Sequence, residues 1–565
     1  MFPDLLSHIM IEQNYPILLL AYTTGILSTL FIAAISFIIF FKRSSFLNWS
    51  KYLFVFSLVF YLGSILVFQL LKLHTFKYYS DFAVHLELFS NLIDGQGTTS
   101  SLMQTTLGYG DIKNYLSIHF LPLLYVFALP LLIIKNYAAC LIVLQTLILT
   151  SSVIPIYLFA RDVFHDKKIG YLFAASFLFY PTLHYINLYD FEFLRICIPL
   201  LLFSFYFLNK KKYLAYYIAF ILSILTREEV ALTTFFFGIY IAFVIKEKRT
   251  GIITSAISGL YFLIVFKIIM PYLAGGSSNL SFHCAFANFS HLGNSPSEIL
   301  LNIVFHPLKV FSILLSKIKI GNFLMYVLPL LFTPFFSPST FFISIGNLLF
   351  NFLSASISHY SYILYYLSPS IPFIFLSAIK GVKNLGEKEG SFLSKKNILQ
   401  NKESKKKFTN ALVCSIFVAS VLSNIFFGPS PLSIQFWNRD YKLAPYKTHN
   451  FHYSQYIPTE HHKKAFQFFP LIPDDAIVSA EHFFLPYLYK KKTLMQFPIF
   501  EGADYVLIDK THPVKFGTIG VDPLEARKNP QQFYDMVEKD TENWELIKEE
   551  GGIFLFKKRY WNHEN

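Results

Sequence analysis

The sequence predicts an all-α polytopic membrane protein of about twelve spans that carries a small α/β domain at its C-terminal end. Charged residues make up only 15% of the 565 residues and hydrophobic residues 54%, whereas soluble domains contain about 25% charged residues. Nearly uncharged runs, long enough to cross a bilayer, recur up to residue 427. Beyond that residue the apolar runs shorten and the charge rises, which predicts a domain outside the membrane.

The predicted spans follow from the apolar runs and from the short basic loops between them. We predict spans at 16–41, 52–71, 138–160, 168–187, 194–208, 213–226, 230–245, 251–272, 322–336, 339–354, 361–379 and 408–427. The first run is too long for a signal-peptide core and is followed by Lys42 and Arg43, so we expect a retained span with its N-terminus outside. Segment 118–134 contains two prolines. It is either a thirteenth span or, as the loop charges favour, a helix at the outer membrane surface.

The net charge of +13 does not indicate a nucleic-acid partner. The basic residues are spread over separate short loops and form no single basic face. Cytoplasmic loops of membrane proteins carry such an excess of lysine and arginine. Nine lysines lie between Lys380 and Lys407, so we expect the loop 380–407 to be cytoplasmic and the lipid bilayer to be the partner.

The alternation of the loops predicts a transmembrane core over residues 1–427 and an extracytoplasmic domain over 428–565. Segments 72–137 and 273–320 are expected to be outer loops of the core. In the tail, "DDAIVSAEHFFLPYLYKKKTLMQFP" predicts strand, helix and strand, and "ADYVLIDK" and "GGIFLFKK" predict further strands. The four cysteines form no C-x-x-C pair, so neither a disulfide framework nor a zinc cluster is predicted.

The stretch "LTREEVAL" places three consecutive charges, Arg227, Glu228 and Glu229, in otherwise apolar sequence. Basic loops flank residues 213–245, so this region is expected to cross the membrane twice with its turn facing outward. Each half is shorter than the roughly 30 Å thickness of the hydrocarbon layer, which places the turn below the outer surface. Charges at that depth face water or one another, and we therefore predict an outward cavity with these residues on its floor.

Further polar and ionisable residues fall at other outward turns. They are Asp81, His119, Asp190, Glu192, His359 and Tyr360. Several have an ordinary explanation: a helix N-cap for Asp81, an interfacial anchor for His119, and a salt bridge from Arg195 for Glu192. Because the predicted topology brings all of them to one side of the membrane, we predict that they line the same cavity.

Such a cavity suits transfer from an anionic lipid-linked donor. A carboxylate can take the proton from an acceptor hydroxyl, and an arginine can hold a phosphate through its bidentate fork. Paired acids can hold a divalent cation, such as Mg²⁺ or Mn²⁺, that neutralises the leaving phosphate.

Taken in order, the segments "HFLPLLY", "FLFYPTLHYINLYDFEF", "LTREEVAL" and "HYSYILYYLSPSIPFIFLSA" resemble a bacterial membrane family known as domain of unknown function 2079. The resemblance covers roughly residues 70–510. That family is similar to the GT-C glycosyltransferases, which include protein O-mannosyltransferases and aminoarabinose transferases. The resemblance implies a GT-C-like transmembrane core in the bacterial inner membrane, with the C-terminal domain on the periplasmic side.

The same resemblance implies roles for individual residues. Asp81 takes the position of the catalytic base, and Arg227 takes that of the basic residue at the donor phosphate. The remaining assignments are His119, Glu228 and Glu229 at the donor phosphate, Asp190 and Glu192 at a metal ion, and His359 and Tyr360 elsewhere in the cavity.

The sequence thus predicts a glycosyltransferase that moves a sugar from a polyprenyl-phosphate donor to a hydroxyl acceptor on the extracytoplasmic side. A transporter or flippase for a lipid-linked saccharide would use the same anion-binding cavity, and a second cavity open to the cytoplasm, or an internal repeat, would distinguish it. A third alternative is a non-catalytic membrane scaffold, which should tolerate alanine at Asp81.

Overall fold

The computed structural model describes residues 23–105, 114–275, 288–387, 401–441, 451–511 and 530–559. The start of the first predicted span, Cys284 and the middle of the lysine-rich loop lie outside these ranges. The α-helices of eight or more residues are Thr23–Lys42, Ser50–His74, Ser80–Ile93, Tyr137–Thr150, Val153–Phe164, Lys167–Leu178, Pro181–Leu188, Cys197–Asn209, Tyr213–Ile224, Val230–Tyr240, Lys248–Ile264, Pro296–Phe305, Pro307–Leu314, Lys317–Val327, Ile345–Leu353, Ile371–Glu387, Lys402–Phe427 and Pro530–Glu538.

Five helical segments of the described chain are long and apolar enough to cross a membrane, which confirms a multi-pass membrane protein. They are Thr23–Lys42, Ser45–His74, Tyr137–Phe164, Lys248–Leu273 and Lys402–Phe427. The predicted span at 168–187 is a helix pair bent by 48°. Four more predicted spans correspond to apolar helices of only 10–17 residues: Phe193–Asn209, Tyr213–Ile224, Val230–Ile245 and Pro338–Leu353. The predicted number of twelve full spans is therefore not confirmed.

Two predicted spans have different boundaries in the structure. The helix Lys317–Val327 ends within predicted span 322–336, and two 3-10 turns that contain Pro329 and Pro334 follow it. Proline removes a backbone donor and clashes with the preceding turn of a helix, so a continuous helix cannot form here. Predicted span 361–379 becomes helical only at Ile371, and this helix packs closely on the second 3-10 turn at Gly381, where a Cβ atom would lie 2.0 Å from the Thr333 carbonyl oxygen.

Two segments that were expected to lie outside the membrane contain helices. Segment 273–320 contains an apolar helix pair, Ser297–Phe305 and Pro307–Leu314, that is bent by 93° at a proline. Segment 118–134 forms only the short helix Leu124–Ala128 and the 3-10 turn Leu129–Leu132. No single spanning helix forms in the latter, as expected from its two prolines.

The chain divides into two compact units, and the predicted division into a transmembrane core and an extracytoplasmic domain at residue 428 stays a prediction. The first unit, here called the helical unit, comprises residues 1–67, 143–266 and 283–453. The second, here called the sheet unit, comprises residues 68–142, 267–282 and 454–565.

A buried carboxylate ties two segments of the sheet unit together. Glu87, on the helix Ser80–Ile93, is only 2% exposed. It accepts hydrogen bonds from the Ser100 hydroxyl at 2.6 Å, from the Ser101 backbone N–H at 2.9 Å and from the Leu102 N–H at 3.3 Å. Several donors on one ionised group compensate for its burial, so Glu87 has a structural role at the start of the helix Ser101–Thr105.

The sheet unit contains one five-stranded sheet. Its strands are β1 (Ile477–Ala480), β2 (Thr493–Gln496), β3 (Tyr505–Asp509), β4 (Trp544–Glu550) and β5 (Ile553–Lys558), in the order β2-β1-β3-β5-β4. Strand β1 pairs in parallel with β2 and β3, whereas β5 is antiparallel to β3 and β4. The four predicted strands are therefore confirmed.

Two details of this sheet differ from the prediction. Only the 3-10 turn Leu485–Tyr487 forms between β1 and β2, where a helix was expected; Pro486 lies in this turn. Strand β4 was not predicted. In "WELIKEE" only Trp544 is buried, and the many polar residues of this segment hide the alternation of apolar and polar residues that is typical of a strand.

Candidate functional site

The charges of the "REE" turn are buried between two short helices of the helical unit. The turn connects the helix Tyr213–Ile224 to the helix Val230–Tyr240. Arg227 is 3% exposed and Glu228 is 4% exposed. Two short apolar helices joined by a turn that is enclosed by protein are thus present, and their crossing of the membrane stays a prediction.

A second connection brings another carboxylate to Arg227. Glu192 lies between the helix Pro181–Leu188 and the 3-10 turn Phe193–Ile196. The guanidinium of Arg227 lies 3.6 Å from Glu192, 3.6 Å from Glu229 and 4.0 Å from Glu228. These are ion-pair distances, longer than the roughly 2.7–2.9 Å of short charge-assisted hydrogen bonds. We call these four residues the ionic group.

Aromatic rings lie beside the ionic group. The Arg227 guanidinium carbon is 5.9 Å from the ring centres of both Tyr365 and Tyr366, which stack on one another at 4.6 Å. His359 packs on Tyr366, with ring centres 4.6 Å apart. The predicted residue His359 therefore joins this site, together with two tyrosines that sequence reasoning missed. The repeated aromatics of "YILYYL" were the available signal.

Tyr360 and Arg195 have contacts of another kind. The Tyr360 ring packs against the ammonium of Lys319, at 4.9 Å, and against Phe352. Arg195 donates hydrogen bonds to the backbone oxygens of Ile186 and Asp190. Carbonyl groups at the end of a helix need such donors, so Arg195 fixes the connection that carries Asp190 and Glu192.

The ionic group contains more acid than base. Three glutamates surround the single guanidinium, and Asp190, which is 2% exposed, lies two residues from Glu192. The described residues include no cluster of three or more His, Cys, Asp or Glu arranged to hold a metal ion. The metal role of Asp190 and Glu192 therefore stays a prediction.

In the sheet unit, Asp81 is not a helix N-cap. The N-cap of the helix Ser80–Ile93 is Tyr79, which makes no side-chain capping hydrogen bond, and Asp81 lies in the first helical turn. A carboxylate there is favoured by the helix dipole by about 0.3–1 kcal/mol. The ordinary explanation given for Asp81 from the sequence is therefore wrong in its detail.

Asp81 and His119 are linked through two residues that sequence reasoning missed. His85 donates from Nδ1 to the backbone oxygen of Asp81 at 2.9 Å. Its ring lies 5.8 Å from that of Tyr115, which in turn lies 6.2 Å from His119. The spacing of four residues between Asp81 and His85, one helical turn, was the signal. That these residues share a cavity with the ionic group stays a prediction.

One known family matches the part of the chain that contains both the ionic group and the residues around Asp81 and His119. Residues 79–555 match a family described as predicted membrane protein, DUF2079. The chain belongs to this family. The DUF2079 match includes Asp81, the ionic group and strands β1 to β4. No curated protein sequence matches the chain.

Three solved structures are similar to this chain at low identity. ArnT from Cupriavidus metallidurans bound to undecaprenyl phosphate is 10% identical, with 90% of this chain and 98% of that chain covered and a TM-score of 0.45. The Archaeoglobus fulgidus oligosaccharyltransferase tethered to an acceptor peptide is 12% identical, with 82% and 69% covered and a TM-score of 0.38. AglB from the same organism, in complex with an inhibitory peptide and a dolichol-phosphate, is 13% identical, with 91% and 75% covered and a TM-score of 0.35.

The DUF2079 match also includes two buried acids at one edge of the sheet. Glu481 directly follows β1, and Asp509 is the last residue of the parallel neighbour β3. The hydroxyl of Tyr534 donates to Glu481 at 3.1 Å, and Asp509 contacts His461 at 2.7 Å. Burial raises the pKa of the Glu481 carboxyl well above its ordinary value, and the nearby Asp509 acts in the same direction.

Glu481 predicts how the stability of the protein depends on pH. Because its pKa is raised in the folded state, the folded chain keeps a proton that the unfolded chain releases, so the free energy of unfolding falls as pH rises above the ordinary glutamate pKa of about 4.3. We expect the Glu481→Gln variant of the full-length protein to have a higher Tm than the wild type at about pH 8, and a smaller difference at about pH 5. Glu545→Gln, on exposed β4, is the control. Parallel Tm curves for wild type and Glu481→Gln would contradict this prediction.

Proposed function

We propose that the protein is a membrane glycosyltransferase that moves a sugar from a polyprenyl-phosphate carrier to an acceptor hydroxyl on the extracytoplasmic side. The observation that carries the proposal is the buried ionic group, with its stacked tyrosines, in a unit built of apolar helices. Ionisable groups at membrane depth are costly and are functional by default. The resemblance of the motifs to GT-C enzymes supports the same chemistry.

The side chains of this site suit a sugar phosphate. Carboxylates accept hydrogen bonds from hydroxyl groups. The three glutamates would therefore bind the hydroxyl groups of a sugar ring. The faces of Tyr365 and Tyr366 suit its apolar C–H surface. The planar guanidinium of Arg227 has five N–H donors, so it can contact a phosphate on one edge and Glu192 on another.

The proposed reaction is a single displacement. Asp81 takes the proton of the acceptor hydroxyl, and the resulting oxygen attacks the anomeric carbon of the sugar. The bond from that carbon to the phosphate oxygen breaks, and the electron pair leaves with the polyprenyl phosphate, whose charge Arg227 stabilises. Asp190 and Glu192 are proposed to hold a divalent cation or the acceptor, and His119 to assist at the donor phosphate.

A transfer assay in vesicles tests this function. Purified protein is reconstituted in vesicles with polyprenyl-phosphate carriers that bear a radiolabelled sugar, and a membrane extract supplies acceptors. We expect the label to leave the lipid carrier and appear in a new product, with protein heated to inactivation as the control. If the label crosses the bilayer while still attached to its carrier, the protein is a flippase and the proposal fails. If the label neither moves nor transfers with any carrier, the scaffold alternative is favoured.

A further inference from the structure

The helical unit contains a polar cavity that the proposed function does not use. It has a volume of about 480 Å³ and lies where four helix ends meet. The helix Val153–Phe164 ends there, the helix Lys167–Leu178 begins there, the helix Ile371–Glu387 ends there, and the helix Lys402–Phe427 begins there. The last two helices approach closely at Gly386, where a Cβ atom would lie 2.7 Å from the Thr409 hydroxyl. This contact gives the cavity a packed base.

The wall of the cavity is basic. Its charged lining residues are Lys383, Lys402, Lys405, Lys406, Asp166 and Glu387. Asp166 already caps the helix Lys167–Leu178 by accepting from the Lys168 N–H at 2.8 Å. Lys407 pairs with Glu403 at 2.7 Å, but within the described part of the chain none of the four lining lysines forms an ion pair. Four ammonium groups facing two carboxylates attract an anion.

A buried amide at the cavity points independently to a ligand. Asn410 lines the cavity and is 7% exposed. Its side-chain oxygen has no hydrogen-bond partner in the described structure. A buried amide group without a partner is unfavourable. Because the two ends of an asparagine amide exchange by rotation of the side chain, Asn410 can also present its N–H groups to an anion.

The cavity and the ionic group lie at opposite ends of the bent helix pair Lys167–Leu178 and Pro181–Leu188. Ile169 lines the cavity at the start of this pair, and Asp190 follows the other end of the pair. At about 1.5 Å per residue the pair is roughly 30 Å long, close to the hydrocarbon thickness of a bilayer. Lysines at this level lie among the phosphates of the lipid headgroups.

We propose that this cavity binds the phosphate headgroup of an anionic phospholipid. The lysines pair with the phosphate, and Asn410 donates to one of its oxygens. Phe164 and Ile169, which also line the cavity, contact the upper part of the acyl chains. The bound lipid thus connects the helices Ile371–Glu387 and Lys402–Phe427 and stabilises the helical unit. This site is distinct from that of the lipid-linked donor, and the inference does not depend on the proposed function.

The test measures binding of phosphatidylglycerol to the purified full-length protein. Nanodiscs of phosphatidylcholine receive increasing fractions of phosphatidylglycerol, and thermal unfolding reports the stabilisation that binding produces. We expect a rise in Tm for the wild type. The triple variant Lys383→Gln/Lys405→Gln/Lys406→Gln should weaken the lipid affinity by about 100-fold, at about fivefold per lysine near a membrane surface.

Two controls make the result decisive. Lys407→Gln removes the same charge from the same helix but does not line the cavity, so its lipid affinity should stay near that of the wild type. An equal loss in Lys407→Gln and Lys405→Gln would overturn the proposal in favour of a general surface charge effect. Inorganic phosphate, tested without anionic lipid, should give little stabilisation. If it raises Tm as much as the lipid does, the ligand is a soluble anion and the lipid assignment fails.

Discussion

Replacement of Arg227 by alanine is expected to destabilise the helical unit by about 3–5 kcal/mol, the usual effect of removing one partner from a buried ion pair. The guanidinium lies within 4.0 Å of three glutamates, and Arg227 is 3% exposed. Without it, three carboxylates lie close together with no counter-charge among them. A role at the donor phosphate alone would predict weaker donor binding in a stably folded protein, whereas the surrounding acids predict a loss of stability as well.

Thermal unfolding of purified variants measures this effect. The matched control is Arg161→Ala, which breaks the partly exposed pair with Asp162 at 2.8 Å and should cost no more than about 1 kcal/mol. Glu192→Gln and Glu229→Gln, added to Arg227→Gln, remove two of the three uncompensated negative charges and should restore much of the stability. Wild-type stability of Arg227→Ala would contradict the ion-pair interpretation. Wild-type transfer activity of the triple variant would contradict a role for Arg227 at the phosphate.

Replacement of Asp81 by asparagine is expected to slow glycosyl transfer by about 10²–10⁴-fold, because the amide cannot accept the proton of the acceptor hydroxyl. The stability of the protein should change little. Asp81 is half-buried in the first turn of its helix and is not the N-cap, so the substitution removes no N-cap and weakens a helix-dipole interaction of about 0.3–1 kcal/mol.

The vesicle assay with a labelled carrier measures this rate. Asp94→Asn provides the matched control, since Asp94 is the exposed C-cap of the same helix and undergoes the same chemical change. Its activity should equal that of the wild type. Product formation at the wild-type rate by the Asp81→Asn protein would rule out the proposed mechanism and leave the flippase and the scaffold as explanations.

The sequence by itself determined that the protein lies in a membrane, where most of its helices are, and which residue types form the candidate site. Composition and apolar run length are local properties, so "LTREEVAL" could be recognised as a charged turn between two short apolar segments. Strands such as "YVLID" were recognisable because the residues of β3 are buried along its whole length. His359 and Glu192 were identified because polar residues are conspicuous in apolar surroundings.

Only the tertiary structure decided which of these residues meet. The contact of Arg227 with Glu192 and its position beside Tyr365 and Tyr366 join segments far apart in the chain. The lysine-lined cavity likewise arises where four helix ends converge. Apolar run length shows that a segment is buried or faces lipid, but it does not show which neighbour covers each face. That choice depends on packing between distant segments, which is why sequence patterns identified the charges but not their partners.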